Sequence, residues 1–93
     1  METEVRNNAE RSRYELVLDS VVVGVADYRD HGDVMVFPHT EIKQSLRGRG
    51  FGARLVQGAL DDARAKGRRI VPRCWYVAQF IDDNPEYRDL LVA

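Results

Sequence analysis

The stretch Gln44-Ser45-Leu46-Arg47-Gly48-Arg49-Gly50-Phe51-Gly52-Ala53-Arg54-Leu55 decides how the rest of the chain is read. Three of the seven glycines, Gly48, Gly50 and Gly52, stand within five residues, interleaved with arginines. Glycine has no Cβ to hold a ligand off the backbone, so such a loop can bare its N–H groups. Amphipathic helical spacing begins immediately afterwards. A helix start adds four unpaired amides and the positive end of the dipole. Loop and helix start together form a cradle for an anion, most often phosphate. The plain alternative is a turn that ends a strand and opens a helix.

Known glycine patterns narrow the choice. A Walker phosphate loop closes on Gly-Lys-Ser/Thr, which this stretch lacks. The dinucleotide fingerprint G-x-G-x-x-G/A is met in form by Gly48, Gly50 and Ala53. It should follow a hydrophobic strand directly, whereas Lys43 to Arg47 intervene. Its acidic ribose ligand should stand ~20 residues further on, where this chain has Arg68 to Arg73. Arg49-Gly50-Phe51-Gly52 copies half of the RNA-recognition-motif core. The stacking aromatic is then replaced by Ala53, and the segment reads as a helix start, not the strand that motif requires.

Composition sets the frame. With 93 residues, 44% hydrophobic and 31% charged, the chain is expected to be one soluble globular domain spanning 1–93. Its formal net charge of −1 creates no global field for nucleic acid or an anionic membrane, so neither is expected as a partner. One cysteine excludes an internal disulfide and fits a reducing compartment. Met1-Glu2-Thr3-Glu4 lacks the regions of a signal peptide, and the apolar run Val21 to Ala26 is too short to span a bilayer. The cytoplasm is the expected location. No metal site is expected.

Upstream of the loop the chain reads as strands. Residues 1–12 are polar and expected to be partly flexible, with Asn7-Asn8 as solvated chain. Tyr14, Leu16 and Leu18 alternate with Arg13, Glu15, Val17 and Asp19, a period-two strand, and Asp19-Ser20 suits a hairpin turn. Val21 to Tyr28 predicts a central strand, in which Gly24 marks a bulge or a close neighbour. Val34 to Ile42 predicts a third strand, broken by Pro38 at a bulge. Downstream, Phe51, Leu55, Val56, Ala59, Leu60 and Ala63 recur at helical spacing, and Gly67 stops the helix. Gly58 within it hints at close packing. Arg68 to Cys74 predicts a short strand, and strand–helix–strand implies a parallel crossover pair. Trp75 to Ile81 predicts a short helix, and Asn84-Pro85-Glu86 opens another with Asn84 as N-cap.

The loop also meets R/Q-x-x-G-x-G/A at Arg47, Gly50 and Gly52, which resembles the acetyl-CoA pyrophosphate loop of the GNAT acetyltransferases. His39-Thr40-Glu41-Ile42, Pro72-x-Cys74 and Pro85-Glu86-Tyr87 accompany it in order. As a set, from about Tyr14 to Leu91, the chain resembles the small single-domain GNAT-like proteins. It departs from them at Ser20, Trp75 and Asn84, where members usually carry Gly, a small residue or Pro, and His. The resemblance implies a minimal α/β fold. A mixed sheet of about four strands, antiparallel at the N-terminal side with a parallel crossover pair, would carry one main helix and short C-terminal helices. It implies acetyl-CoA as cofactor, in a gap where the third strand and the crossover strand splay apart.

By that resemblance, Thr40, Glu41, Ile42, Arg47, Gly48, Arg49, Gly50, Phe51, Gly52, Ala53 and Cys74 would bind the cofactor. Transfer to an amine needs a neutral acceptor and donors for the developing oxyanion. His39, Glu41 and Cys74 are the candidate catalytic residues, with Tyr76 and Tyr87 near the gap. The expected partners are acetyl-CoA and an amine acceptor. Two alternatives stay open: a CoA-binding module without turnover, and an RNA-binding module of RNA-recognition-motif type.

Overall fold

Asp19 and Ser20 both adopt left-handed backbone angles, φ 49° and 69°, and turn the chain between two strands. Turns of this mirror-image kind match the twist of the strands they join. At Ser20, where the resemblance implied Gly, the backbone takes a positive φ that Gly adopts without strain. The structure, a computed structural model, describes residues 2–92. It contains β1 (Thr3–Asn8), β2 (Arg13–Leu18), β3 (Val21–Asp30), β4 (Val34–Ile42), α1 (Phe51–Ala65), β5 (Arg69–Pro72) and α2 (Trp75–Asp83). A 3-10 helix, Pro85–Leu90, follows, where the sequence suggested an ordinary helix. Asn84 makes no side-chain cap there; its Nδ2 donates back to the Phe80 carbonyl at 2.8 Å.

The sheet runs β1-β2-β3-β4-β5, antiparallel through β4 and parallel between β4 and β5. This is the expected mixed α/β architecture with one strand more than expected. The extra strand is β1, inside the polar lead-in, and it holds by side-chain ties. Arg6 Nε, Asn8 Nδ2 and Arg13 Nε all donate to the Glu15 carboxylate, at 3.2, 3.1 and 2.9 Å. The Tyr28 hydroxyl donates to Asn7 Oδ1 at 2.7 Å. Asn7 and Asn8 are thus structural ties and not solvated chain. Glu15 is only 2% exposed. Burial alone would raise its carboxyl pKa, but the three donors outweigh it and hold the pKa below the usual value.

Helix α1 covers one face of this sheet. Leu55, Val56, Ala59, Leu60 and Ala63 are buried against Tyr14, Leu16, Ala26 and Phe37, as the helical spacing required. Tyr14 reaches across the core to donate to Asp62 at 2.6 Å. Gly58 lies against Val5 of β1, where an added Cβ would come within 2.6 Å, so the close packing it hinted at is real. Gly24 has the close neighbour its position suggested: a Cβ there would sit 2.4 Å from the Ile42 side chain. The pairing of β3 with β4 jumps from Asp27↔His39 to Arg29↔Val36, so β4 carries an extra residue around Pro38.

Candidate active site

Parallel pairing of β4 with β5 stops at Phe37↔Pro72. One further bond, from the Cys74 amide to the Phe37 carbonyl at 2.8 Å, closes the seam. Beyond it β4 continues from Pro38 to Ile42 with β3 on one side, while β5 has turned away into α2. The splayed strands open a cleft of 660 Å³ between the outer half of β4, the glycine loop and the Arg73–Tyr76 turn.

The loop forms one end of this cleft. Gly48 and Gly50 take left-handed φ of 80° and 82°, and a Cβ at either would meet nothing within 4 Å. Gly50 is the N-cap of α1, and the first bond of the helix runs from the Arg54 amide to the Gly50 carbonyl at 3.1 Å. The amides of Phe51, Gly52 and Ala53 therefore have no partner inside the helix. No side chain caps them and no acidic residue occupies the first turn. Arg47 and Arg49 are exposed beside them. Arg47 rests its Nε on the Ile42 carbonyl at 3.2 Å, tying loop to strand end. The residues present fit an anionic, phosphate-sized group. Arg49-Gly50-Phe51-Gly52 spans a loop and the first turn of α1, so it does not offer the strand that an RNA-recognition motif uses.

Gly52 has a second duty that spacing did not reveal. A Cβ there would stand 2.6 Å from the Tyr76 hydroxyl and 2.9 Å from its ring. Tyr76 thus lies on the first turn of α1, and burial pushes its phenol pKa up. It keeps its proton and remains a donor. The same ring borders a second groove of 480 Å³ between α1 and α2, lined in part by Arg54, Phe80 and Tyr87. Phe80 was not singled out by the sequence; its signal is the four-residue spacing from Tyr76 on one helix. Tyr87 belongs to this groove and not to the cleft. Its hydroxyl donates to Asp61 at 2.7 Å, and burial together with that bond pushes its pKa up to about 12.

The other end of the cleft holds the catalytic candidates, and they do not converge. Cys74 is 9% exposed, with Sγ 3.7 Å from Thr40 Oγ1 across the gap. His39 and Glu41 pair with each other, Nε2 to Oε1 at 3.4 Å, and both side chains are more than half exposed. Strand alternation separates Thr40 and Ile42, half-buried, from His39 and Glu41. The thiol and the imidazole–carboxylate pair thus occupy different sides of β4. Among the described residues no group of His, Cys, Asp or Glu is arranged to hold a metal ion, and no helix is long and apolar enough to cross a membrane.

A solved GCN5-like protein from Staphylococcus aureus shares this fold, with a TM-score of 0.72 over 97% of this chain and 88% of that one at 17% identity. Protein NATD1 of Bos taurus is 38% identical over 47 residues, and that of Homo sapiens 34% over the same length. Each match takes in 50% of this chain but only 42% of the relative, so the likeness covers less than half of those proteins. The family description "GCN5-related N-acetyl-transferase" matches residues 13–90, from the first residue of β2 to the last of the closing 3-10 helix. The chain therefore belongs to the GCN5-related N-acetyltransferase family.

Proposed function

We propose that the chain binds acetyl-CoA in the β4–β5 cleft and promotes transfer of the acetyl group to an amine. The observation that carries this reading is an uncapped helix start, with Gly48 and Gly50 in open left-handed conformations, beside the place where two parallel strands part. In it the amides of Phe51, Gly52 and Ala53, with Arg47 and Arg49, hold the pyrophosphate. The edge of β4 from Thr40 to Ile42 holds the pantetheine arm. Acetyl-CoA supplies an acyl thioester already activated for attack.

What the chain adds at the reacting end is mainly position. Holding two reactants in register removes much of the entropic barrier. Glu41, exposed at the cleft rim beside His39, accepts the proton that a cationic amine must lose before it can attack. Cys74 touches the Thr40 hydroxyl and serves as a wall of the cleft. The scattered catalytic candidates favour one second reading, a CoA-binding module without turnover.

Thermal unfolding with acetyl-CoA, CoA, NADPH and a short RNA in parallel tests the binding. A ligand at about 100 times its Kd stabilises by about 2.7 kcal/mol, which for a domain of this size raises Tm by roughly 10–20 °C. Acetyl-CoA and CoA should both produce the shift, while NADPH and RNA should not. Equal shifts with NADPH, or none with acetyl-CoA, would refute it. Release of free thiol in the presence of mixed amines then separates turnover from binding alone.

A further inference from the structure

The two edges of the sheet are finished differently. The β5 edge is covered: Leu91 bridges to Ile70, and Arg69 Nη1 donates to the Leu91 carbonyl at 3.2 Å. Among the described residues, no strand pairs with the outer edge of β1. Its ladder to β2 is regular from Thr3↔Leu18 to Asn8↔Arg13, without a bulge. Its residues, Thr-Glu-Val-Arg-Asn-Asn, include no proline and no lysine. Of the usual devices that stop an edge strand from pairing with another chain, β1 carries only two charges, Glu4 and Arg6, and these are of opposite sign.

From this we infer that β1 is the contact surface of a homodimer, in which the β1 strands of two copies pair antiparallel about a twofold axis at Val5. The sequence itself chooses that register. A twofold axis normal to the sheet keeps like faces together, so it must pass through a residue. Through Val5 it sets Glu4 opposite the partner's Arg6, and Arg6 opposite the partner's Glu4. Thr3 then lies opposite the partner's Asn7, and Val5 opposite itself. Through Glu4 it would set two carboxylates face to face, and through Arg6 two guanidiniums. Opposite charges across a strand pair stabilise and like charges oppose pairing. The Glu4 register would also bring Arg6 opposite the partner's Glu2, but with two carboxylates opposed at the axis. Only the Val5 register therefore gains two ion pairs with no like charges face to face. Arg6 can take part because, among the described residues, only its Nε is engaged, by Glu15. The result is a continuous ten-stranded sheet with both α1 helices on one face and both clefts remote from the axis.

Sedimentation velocity and concentration-dependent amide exchange test this independently of any ligand. The parent should pass from monomer to dimer in the micromolar range, with the outward β1 amides protected only when concentrated. Glu4→Arg turns both cross-axis pairs into repulsions and should weaken the dimer by about 10-fold or more, while dilute Tm stays unchanged because Glu4 is exposed. Glu4→Gln, which removes attraction without adding repulsion, should fall between. A parent that remains a 10.6 kDa monomer up to about 1 mM would overturn the inference. So would a Glu4→Arg protein that dimerises as tightly as the parent. Acetyl-CoA binding should be the same in monomer and dimer, so a failure here leaves the cleft reading untouched.

Discussion

The two ends of the β4–β5 cleft are made of different materials. At the α1 end the free polar groups are backbone amides, placed by the conformations of Gly48 and Gly50 and by the start of a helix. At the Cys74 end they are side chains, delivered by two strands that have just parted. A backbone cradle is complete as soon as its loop has folded. A side-chain site depends on where each strand stops, which face each residue takes, and what fills the space between. Here the first is assembled and the second is dispersed, with His39 and Glu41 paired away from Cys74. Affinity for a phosphate-bearing ligand should therefore tolerate almost any change at the Cys74 end and very little at the loop.

The sharpest way to break that contrast is a charge placed in the cradle without steric damage. At Gly48 a Cβ meets nothing within 4 Å, and the left-handed φ of 80° is one that Asp and Asn adopt more readily than other side chains. Gly48→Asp and Gly48→Asn share the same backbone cost and differ in one charge. A carboxylate a few ångströms from a pyrophosphate costs several kcal/mol at the effective dielectric of a protein surface. Calorimetric titration should show acetyl-CoA affinity falling about 100-fold or more in Gly48→Asp. Gly48→Asn should lose only a few-fold. Equal affinity of the two variants would mean that the loop does not hold the phosphates.

The same contrast governs what could be read from sequence. Glycine spacing, the flanking arginines and helical periodicity from Phe51 onward are local signals, so the loop, α1 and the parallel pair were all legible. So were the Asp19–Ser20 turn and the irregularity at Pro38, because each is one residue's backbone chemistry made visible. β1 was not, since it has one apolar residue in six and is tied down by partners at a distance: Glu15, Tyr28 and Gly58. Tyr76 could be placed near the gap, but its seat on Gly52 depends on how α2 packs against α1. The catalytic set was the least legible part. His39, Glu41 and Cys74 carry the right chemistry, yet their relation depends on strand alternation and on the turn after Pro72.

Gly52 joins the two ends and gives the middle-sized effect. Its amide belongs to the cradle, but its missing Cβ makes room for the Tyr76 hydroxyl. Gly52→Ala should cost about 1–3 kcal/mol of stability, the usual penalty for overpacking. Tyr76→Phe removes the nearest atom, leaving ring carbon contacts of 2.9 and 3.2 Å. The double variant should therefore recover part, not all, of the loss, with a coupling of about 0.5 kcal/mol or more in a denaturation cycle. Additive losses would show that the two residues do not meet. Because Gly52 is packed, a change there perturbs fold and ligand together, which is why the charge test belongs at Gly48.

Cys74 should give the smallest effect, and that is its value as a probe. Its thiol is buried and touches the Thr40 hydroxyl at 3.7 Å; it pairs with neither His39 nor Glu41 among the described contacts. A covalent relay needs a thiolate, hence a base or cation close to sulfur. If the thiol only lines the cleft, Cys74→Ala should keep acetyl-CoA affinity within about 3-fold, because the phosphate cradle we propose lies at the other end. Stability should fall by about 1 kcal/mol, for one small buried group lost. On an amine that the parent acetylates, kcat should also stay within about 3-fold. Retained binding with a collapse of kcat would instead place Cys74 on the reaction path, and rapid quenching of the parent should then reveal an acetylated protein. Maleimide labelling in the native state completes the test. Acetyl-CoA should slow modification of Cys74 if the cleft is where it binds, and an unchanged labelling rate of a reactive thiol would remove the cofactor from that end.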